Sequence, residues 1–382
     1  MKYLVWGTSL NGIATVNILK ALKEEVVAII DNNPKQQGKV ISDIKVCSFE
    51  SIYRNIDWNE VCIIISAANS RNIYQIMDQI KDKGCRNIAI MKPSVQTEKF
   101  RRTIEKTEDF IVWAVKSGID YRIIPRIEVN LIDGCNLKCK GCTHFSSIFS
   151  IESIYPLQQY KEDLESISLT GRVVRLRLLG GEPLLLQDEL IDYLSVARKI
   201  FPDSDIELVS NGLLIPKLSI ELLESIRVNG ITVIISPYAP TMKMEDKISD
   251  VLEHHSIAWR FDGEAIKEFS RNLTLQKVHK ADIASKVCMS YGCTFLRLGK
   301  LYKCPFDGLF EELCKHYNID SMLGDSGVNV RNRNDDLYDE IRTLALEPVE
   351  MCQFCSEELE MIPWEVKNSP ALEDWLYCDG KK

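Results

Sequence analysis

The stretch "RIEVNLIDGCNLKCKGCTHF", residues 126–145, runs from an alternating apolar pattern directly into three cysteines, Cys135, Cys139 and Cys142, spaced C-x3-C-x2-C. Three thiolates in eight positions leave one coordination place open, which is the arrangement of a working metal site and not of a closed one. A [4Fe-4S] cluster ordinarily takes four cysteines, so three leave one iron for an outside ligand. Zinc would need a fourth ligand, and His144, two residues beyond Cys142, returns too soon for good geometry. The spacing therefore favours an open iron-sulfur site over zinc.

From residue 122 onward, "RIIPRIEVNLI", "VVRLRLLGG", "DIELVSNG", "ITVIISPY" and "AWRF" read as buried strands with helical stretches such as "DELIDYLSVARKIF" between them. The second strand ends in Gly180, Gly181, Glu182 and Pro183, and the third in Ser210 and Asn211. A second α/β domain over residues 121–280 follows from this alternation.

The pair "CNLKCKGC" and "GGEP", at the ends of successive strands, resembles the radical S-adenosylmethionine (SAM) superfamily over this region. The resemblance implies a partial (β/α)6 TIM-like barrel. It also implies a [4Fe-4S] cluster on Cys135, Cys139 and Cys142, with SAM bound to the open iron and held by Gly180, Gly181, Glu182 and Pro183. Glu182 would take the ammonium of SAM, and Ser210 and Asn211 its ribose and carboxylate. The chemistry implied is cleavage of SAM to a 5'-deoxyadenosyl radical that takes a hydrogen atom from substrate. Many members have an aromatic residue just before the third cysteine, where this chain has Gly141; Phe145 or His144 would then meet the adenine.

Strand periodicity points Glu128, Asn130, Arg175 and Arg177 away from the apolar side, toward a barrel lumen joined by Ser236 and Arg260. Buried charges need partners or a ligand. Arg177 and Glu128 are thus candidate catalytic residues for a polyhydroxylated or phosphorylated substrate, with an ion-pair plug as the plainer reading.

N-terminal to this, residues 1–95 alternate strand and helix with continuous apolar strands, so a Rossmann-like parallel sheet is expected. Gly7, Gly12 and Asp31 stand where a phosphate and a ribose hydroxyl would be met, although the turn is G-x-x-x-x-G and not the full dinucleotide pattern. "AIIDNNPKQQGKVISDIKV" resembles the N-terminal domain of sugar-nucleotide acetyltransferases, which implies a sugar nucleotide over that turn. Phe100, Ile104, Ile111 and Val115 at helical spacing predict a connecting helix within residues 96–120.

The tail, 281–382, carries Cys288, Cys293, Cys304, Cys352 and Cys355. "GKLYKC" reads as a hairpin ending in a ligand, and the C-x2-C of "MCQFC" can close a four-thiolate cage for zinc or iron-sulfur. Next to a radical SAM region this pattern resembles the small cysteine-rich twitch and SPASM domains, which implies an auxiliary [4Fe-4S] cluster on Cys288, Cys304, Cys352 and Cys355, with Cys293 a rival for one place. Cys47, Cys62 and Cys85 read as small buried hydrophobes.

The chain has 382 residues, 45% hydrophobic and 27% charged, with 13 cysteines and a formal net charge of -8. That charge gives no footprint for nucleic acid or an anionic membrane. No run reaches the ~18 apolar residues of a membrane span, so a cytoplasmic protein is expected. A reducing compartment makes its cysteines metal-binding or catalytic in preference to disulfide-bonded.

The expected architecture resembles that of twitch-domain aminocyclitol dehydrogenases and, more remotely, that of anaerobic sulfatase-maturating enzymes. It implies a radical SAM oxidoreductase or epimerase acting on a sugar, nucleotide sugar or cyclitol, with a flavodoxin- or ferredoxin-type electron donor. The alternatives are a radical SAM peptide or protein modifier and a non-catalytic zinc-binding module.

Overall fold

The structure is a computed structural model, and it describes residues 1–67, 69–95, 100, 103–289, 292–320, 323–332 and 336–378. It divides into two compact units: Met1–Pro125 with residues 171–175 and 201–205, and the remainder.

The first unit contains β1 (Lys2–Trp6), α1 (Leu10–Ala21), β2 (Glu25–Ile30), β3 (Val40–Ile41), β4 (Ile44–Cys47), α2 (Phe49–Ile52), β5 (Val61–Ile65), α3 (Ser70–Ile80), β6 (Asn87–Met91) and β7 (Ile111–Val115). They form a seven-stranded sheet in the order β3-β4-β2-β1-β5-β6-β7. The central pairs are parallel, as a run like "VCIII" buried at every position requires. The edges β3–β4 and β6–β7 are antiparallel, so the sheet is mixed and not wholly parallel. Helix α3 starts where Asn69 accepts a hydrogen bond from the Asn72 N–H at 2.8 Å, and it buries Ile73, Tyr74, Ile76, Met77 and Ile80. Cys62 and Cys85 lie fully buried in the apolar layers, as small hydrophobes do.

The connecting helix expected within 96–120 is not found where the chain is described. Residues 96–99 and 101–102 lie outside the described residues, and Ile111–Val115 form β7, antiparallel to β6 with Met91 opposite Ile111. Residues four apart match a helix stripe, but "IVWAV" is rich in β-branched residues and buried on both faces, which favours a strand. The first unit consequently extends to residue 125 and not 95.

Beyond β8 (Ile123–Ile124), the chain continues through β9 (Ile127–Ile132), α4 (Leu157–Thr170), β10 (Arg172–Val173), β11 (Arg175–Gly180), α5 (Leu190–Ile200), β12 (Asp205–Ser210), α6 (Ile220–Val228), β13 (Thr232–Ile235), α7 (Ala239–Met242), α8 (Glu245–His254) and β14 (Trp259–Phe261). It then forms β15 (Glu268–Leu273), α9 (Ala281–Val287), β16 (Phe295–Arg297), β17 (Lys300–Tyr302), α10 (Pro305–His316), β18 (Val328–Asn329), α11 (Leu337–Leu346) and β19 (Cys355–Pro363).

The second unit is organised on an eight-stranded sheet ordered β14-β13-β12-β11-β9-β16-β17-β18. The pairs β9–β11, β12–β13, β13–β14 and β9–β16 are parallel. This is the α/β architecture of a partial barrel. The cysteine-rich tail does not begin a separate body at 281, because β16 sets Phe295 opposite Glu128 and Leu296 opposite Val129 and so joins the same sheet. A second, antiparallel ribbon of β15 and β19 sets Leu273 opposite Cys355.

Candidate active site

The site is built where β9 and β11 end side by side. A Cβ on Gly180 would lie 2.1 Å from the Ile132 carbonyl oxygen, and one on Gly181 would lie 2.0 Å from that of Gly134. Only glycine lets these backbones meet, and Gly181 N–H then donates to Ile132 O at 2.8 Å and Glu182 N–H to Gly134 O at 3.1 Å. The cysteine loop springs from this junction. A cavity of about 280 Å³ opens over it, lined by Cys135, Cys139 and Cys142 together with Gly180, Gly181, Ser210 and Asn211. Asn211 Nδ2 donates to Asn136 Oδ1 at 2.7 Å and lies 4.0 Å from Cys135 Sγ.

Burial pushes the Cys139 thiol up to about 12 and Cys135 higher still. Burial also acts to raise Cys142, but the hydrogen bonding and charge of His144 bring it below the ordinary thiol range. Loading a metal centre here would therefore release protons.

Far-off sequence completes the loop. Val366 bridges to Cys139, Lys140 N–H donates to Glu365 O at 3.0 Å, and Trp375 Nε1 donates to Cys142 O at 3.0 Å. Gly141 has φ +72°, and a Cβ there would lie 2.9 Å from Ile362 Cδ1, so β19 occupies the space that a side chain before the third cysteine would need. Phe145 does not take its place. It is fully buried, stacked on Phe306 with centroids 5.4 Å apart and edge-on to Trp375 at 5.8 Å, away from the cavity lining. The aromatic wall comes instead from Tyr238 and Phe269, with His144 nearby. Tyr238 is stacked on Trp364 at 5.2 Å. The sequence signal was the position of Tyr238 just past the end of a barrel strand, which "ISPY" carries without any motif to announce it.

Glu182 is fully buried and is not in the lining. Its carboxylate accepts hydrogen bonds from Leu184 N–H at 3.0 Å, Ser210 Oγ at 2.8 Å and Asn211 N–H at 2.8 Å. It ties the ends of β11 and β12 together from behind, where burial pushes its carboxyl up to about 7. Pro183 likewise starts the following turn outside the lining.

Arg177 and Glu128 meet as the strand pattern predicts. Arg177 Nη1 donates to Glu128 at 2.8 Å and its Nε to Glu207 at 2.9 Å, while Arg126 also pairs with Glu128. Burial works to raise Glu128, but Arg126 and then Arg177 bring it down to about 2. Asp262, 45% exposed at the side chain, pairs with Arg177 at 3.5 Å and with Arg260 at 3.0 Å. Neither Arg177 nor Glu128 lines the thiol cavity. The arrangement is an ion-paired plug with one carboxylate at its open end.

Cys288, Cys304, Cys352 and Cys355 line one further cavity, together with Asn272, Lys303, Phe306 and Met351. Cys293 is outside that lining, beside the charges of Arg126, Glu128 and Arg177. Thr143 and Ser270 line both cavities. Among the described residues no three Cys, His, Asp or Glu side chains converge on a position for a single ion. An iron-sulfur cubane asks for a wider ring, since each thiolate binds its own iron, and the three thiols lining one cavity and the four lining the other are the kind of donor set it takes.

In the first unit, Asp31 is engaged within the protein. Its carboxylate accepts from Thr8 N–H at 2.9 Å, Thr8 Oγ1 at 2.5 Å and Asn33 N–H at 2.8 Å. Gly7 and Gly12 answer to close packing: a Cβ on Gly12 would lie 1.9 Å from Gly7 O, and one on Gly7 2.7 Å from Ser66 Oγ. Among the described residues no helix is long and apolar enough to cross a membrane.

Residues 129–260 match the family described as the Radical SAM superfamily. The chain is similar to the GTP 3',8-cyclase of Thermodesulfovibrio yellowstonii, 28% identical over 103 residues, which is 26% of this chain and 32% of the cyclase. It thus spans about a third of the length of the curated relatives it matches. Among solved structures, BtrN in complex with AdoMet and 2-DOIA is 16% identical with a TM-score of 0.38, covering 62% of this chain and 96% of that one. The structure of anSMEcpe with bound AdoMet is 16% identical with a TM-score of 0.30, over 36% of this chain and 42% of that one.

Proposed function

We propose that this chain, whose residues 129–260 match the Radical SAM superfamily, oxidises an alcohol of a sugar, nucleotide sugar or cyclitol. Cys135, Cys139 and Cys142 would hold the SAM-binding [4Fe-4S] cluster, and Cys288, Cys304, Cys352 and Cys355 an auxiliary one. Bound there, these groups supply hydrogen-atom abstraction from a carbon–hydrogen bond and acceptance of the remaining electron, which, with loss of a hydroxyl proton to water, amounts to two-electron oxidation of an alcohol to a carbonyl.

The observation that carries this reading is the shared wall. Thr143 and Ser270 border both thiol-lined cavities, so a substrate held against that wall stands close to both. Small hydroxyl side chains keep the wall thin and offer hydrogen bonds to a polyhydroxylated molecule. Gly180 and Gly181 bring main-chain groups to the cavity surface beside Asn211, and Tyr238 and Phe269, edge to face with centroids 6.1 Å apart, give an aromatic corner suited to a purine. Asp262, half-exposed and held by Arg177 and Arg260 outside both cavity linings, would offer an acceptor to the hydroxyl groups of a larger carbohydrate-type substrate. A flavodoxin- or ferredoxin-type protein would exchange single electrons with the enzyme.

The test is iron and acid-labile sulfide per chain after anaerobic reconstitution, followed by assay of 5'-deoxyadenosine with candidate sugars, nucleotide sugars and cyclitols. About eight irons and a carbonyl product are expected. About four irons, with product epimerised and not oxidised, would overturn the dehydrogenation reading.

A further inference from the structure

The second thiol cavity contains two polar groups that the proposed reaction does not use. Asn272, in β15, is buried at 6% exposure, and its Nδ2 makes no hydrogen bond to protein. The side chain lines the cavity with all four of Cys288, Cys304, Cys352 and Cys355. A buried amide donor without a partner is costly and uncommon, so its presence calls for an acceptor that fills the cavity. Thiolate and cluster sulfurs are such acceptors.

Lys303, immediately before Cys304, is 3% exposed and lines the same cavity. Its Nζ donates to Leu344 O at 2.9 Å and Ala345 O at 2.8 Å, which hold the ammonium in place at the end of α11. A cation on a buried side chain needs nearby negative charge. Asp307 stands close by, accepting from the Lys303 main-chain N–H at 2.9 Å through Oδ2 and from Ser326 Oγ at 2.5 Å through Oδ1. A [4Fe-4S] cluster on four thiolates would add negative charge beside Lys303.

We propose that Asn272 and Lys303 set the reduction potential of the auxiliary [4Fe-4S] cluster, the amide by donating to a cluster or thiolate sulfur and the ammonium by its charge, so that the reduced form is favoured. The inference rests on the two-cluster reading above. Hydrogen bonds to the sulfurs and local net charge are the levers by which a protein tunes such a cluster, and both favour the more negative, reduced state here. The direction matters for function: a site that must take an electron from a substrate radical benefits from a raised potential.

The test uses the full chain, reconstituted anaerobically, with redox titration followed by electron paramagnetic resonance and iron counted in each sample. Asn272→Leu and Lys303→Met are each expected to shift the auxiliary couple's reduction equilibrium at least tenfold toward the oxidised form, about 59 mV for one electron. Asn272→Asp keeps the side chain's shape and adds negative charge, so it shifts the couple further and keeps the test valid where Asn272→Leu loses the cluster. Lys303→Arg restores the potential, and the SAM-binding cluster keeps its own throughout. Variants with full iron and unshifted auxiliary potentials would overturn this inference alone. A wild type with only about four irons would overturn the two-cluster reading and this inference with it.

Discussion

Each unit has a glycine-rich junction after a parallel strand, and the two serve different ends. After β1, Gly7 and Gly12 let backbone meet backbone and Asp31 is engaged by Thr8, so the polar groups are satisfied inside the protein. After β11, Gly180 and Gly181 pack as tightly against β9, yet the neighbouring strand ends leave three thiols, Ser210 and Asn211 around open space. Close backbone approach is common to both. What separates a fold element from a candidate site is whether the polar groups at the junction still face a cavity.

The sharpest way to break that comparison is at the metal ligands. Cys139→Ala should reduce 5'-deoxyadenosine formation to background and remove about four irons per chain. Cys304→Ala should remove about the same iron but leave SAM cleavage running without oxidised product. Equal loss of SAM cleavage in both variants would show that the cavities do not divide the work as proposed.

Next in size, Gly181→Ala forces a Cβ against Gly134 O and should cost the second unit about 3 kcal/mol, with SAM binding lost, as read by hydrogen exchange and calorimetry. Gly12→Ala meets an equally short contact with Gly7 O and should destabilise the first unit by a like amount. Its 5'-deoxyadenosine formation should persist. Asp31→Ala is milder, about 1–2 kcal/mol in the first unit's unfolding from the lost Thr8 hydrogen bonds. A variant with unchanged stability but weakened binding of a sugar nucleotide would return Asp31 to a ligand site.

A further way to test the comparison is acid sensitivity at the plug. Glu128 is held down to about 2 by Arg126 and Arg177, so it contributes stability that is full above its ordinary carboxylate range and is lost as pH falls toward 2. Glu128→Gln should flatten the acid limb of the stability curve, measured by denaturant titration from pH 5 to pH 2.

The sequence made much of this legible because the chemistry sits at strand ends. Continuous apolar runs marked the central strands of the first unit and an alternating pattern marked β9 and β11 of the second, and the thiols and glycines that follow those two occupy the junction that the spacing indicated. Long-range packing was not legible. The stripe from Phe100 to Val115 fits a helix until β6 is seen to pair with Ile111–Val115. Gly141 looks like a missing adenine contact until Ile362 is found in the way, and Phe145 looks available until Phe306 and Trp375 enclose it. Glu182 is a conspicuous acid in sequence, but its acceptor atoms are taken by Leu184, Ser210 and Asn211. No short-range pattern encodes such partners.

The closure of the thiol loop by Trp375 has a consequence for how the protein is made. Its indole reaches Cys142 across 233 positions of sequence, and Val366 reaches Cys139 in the same way. While the ribosome is still translating the intervening strands, the three thiols have emerged but their backbone scaffold has not. Any metal centre on these thiols would therefore be completed only after synthesis of this segment, and a nascent chain stalled before Ile362 would present the cysteines as an unfinished loop.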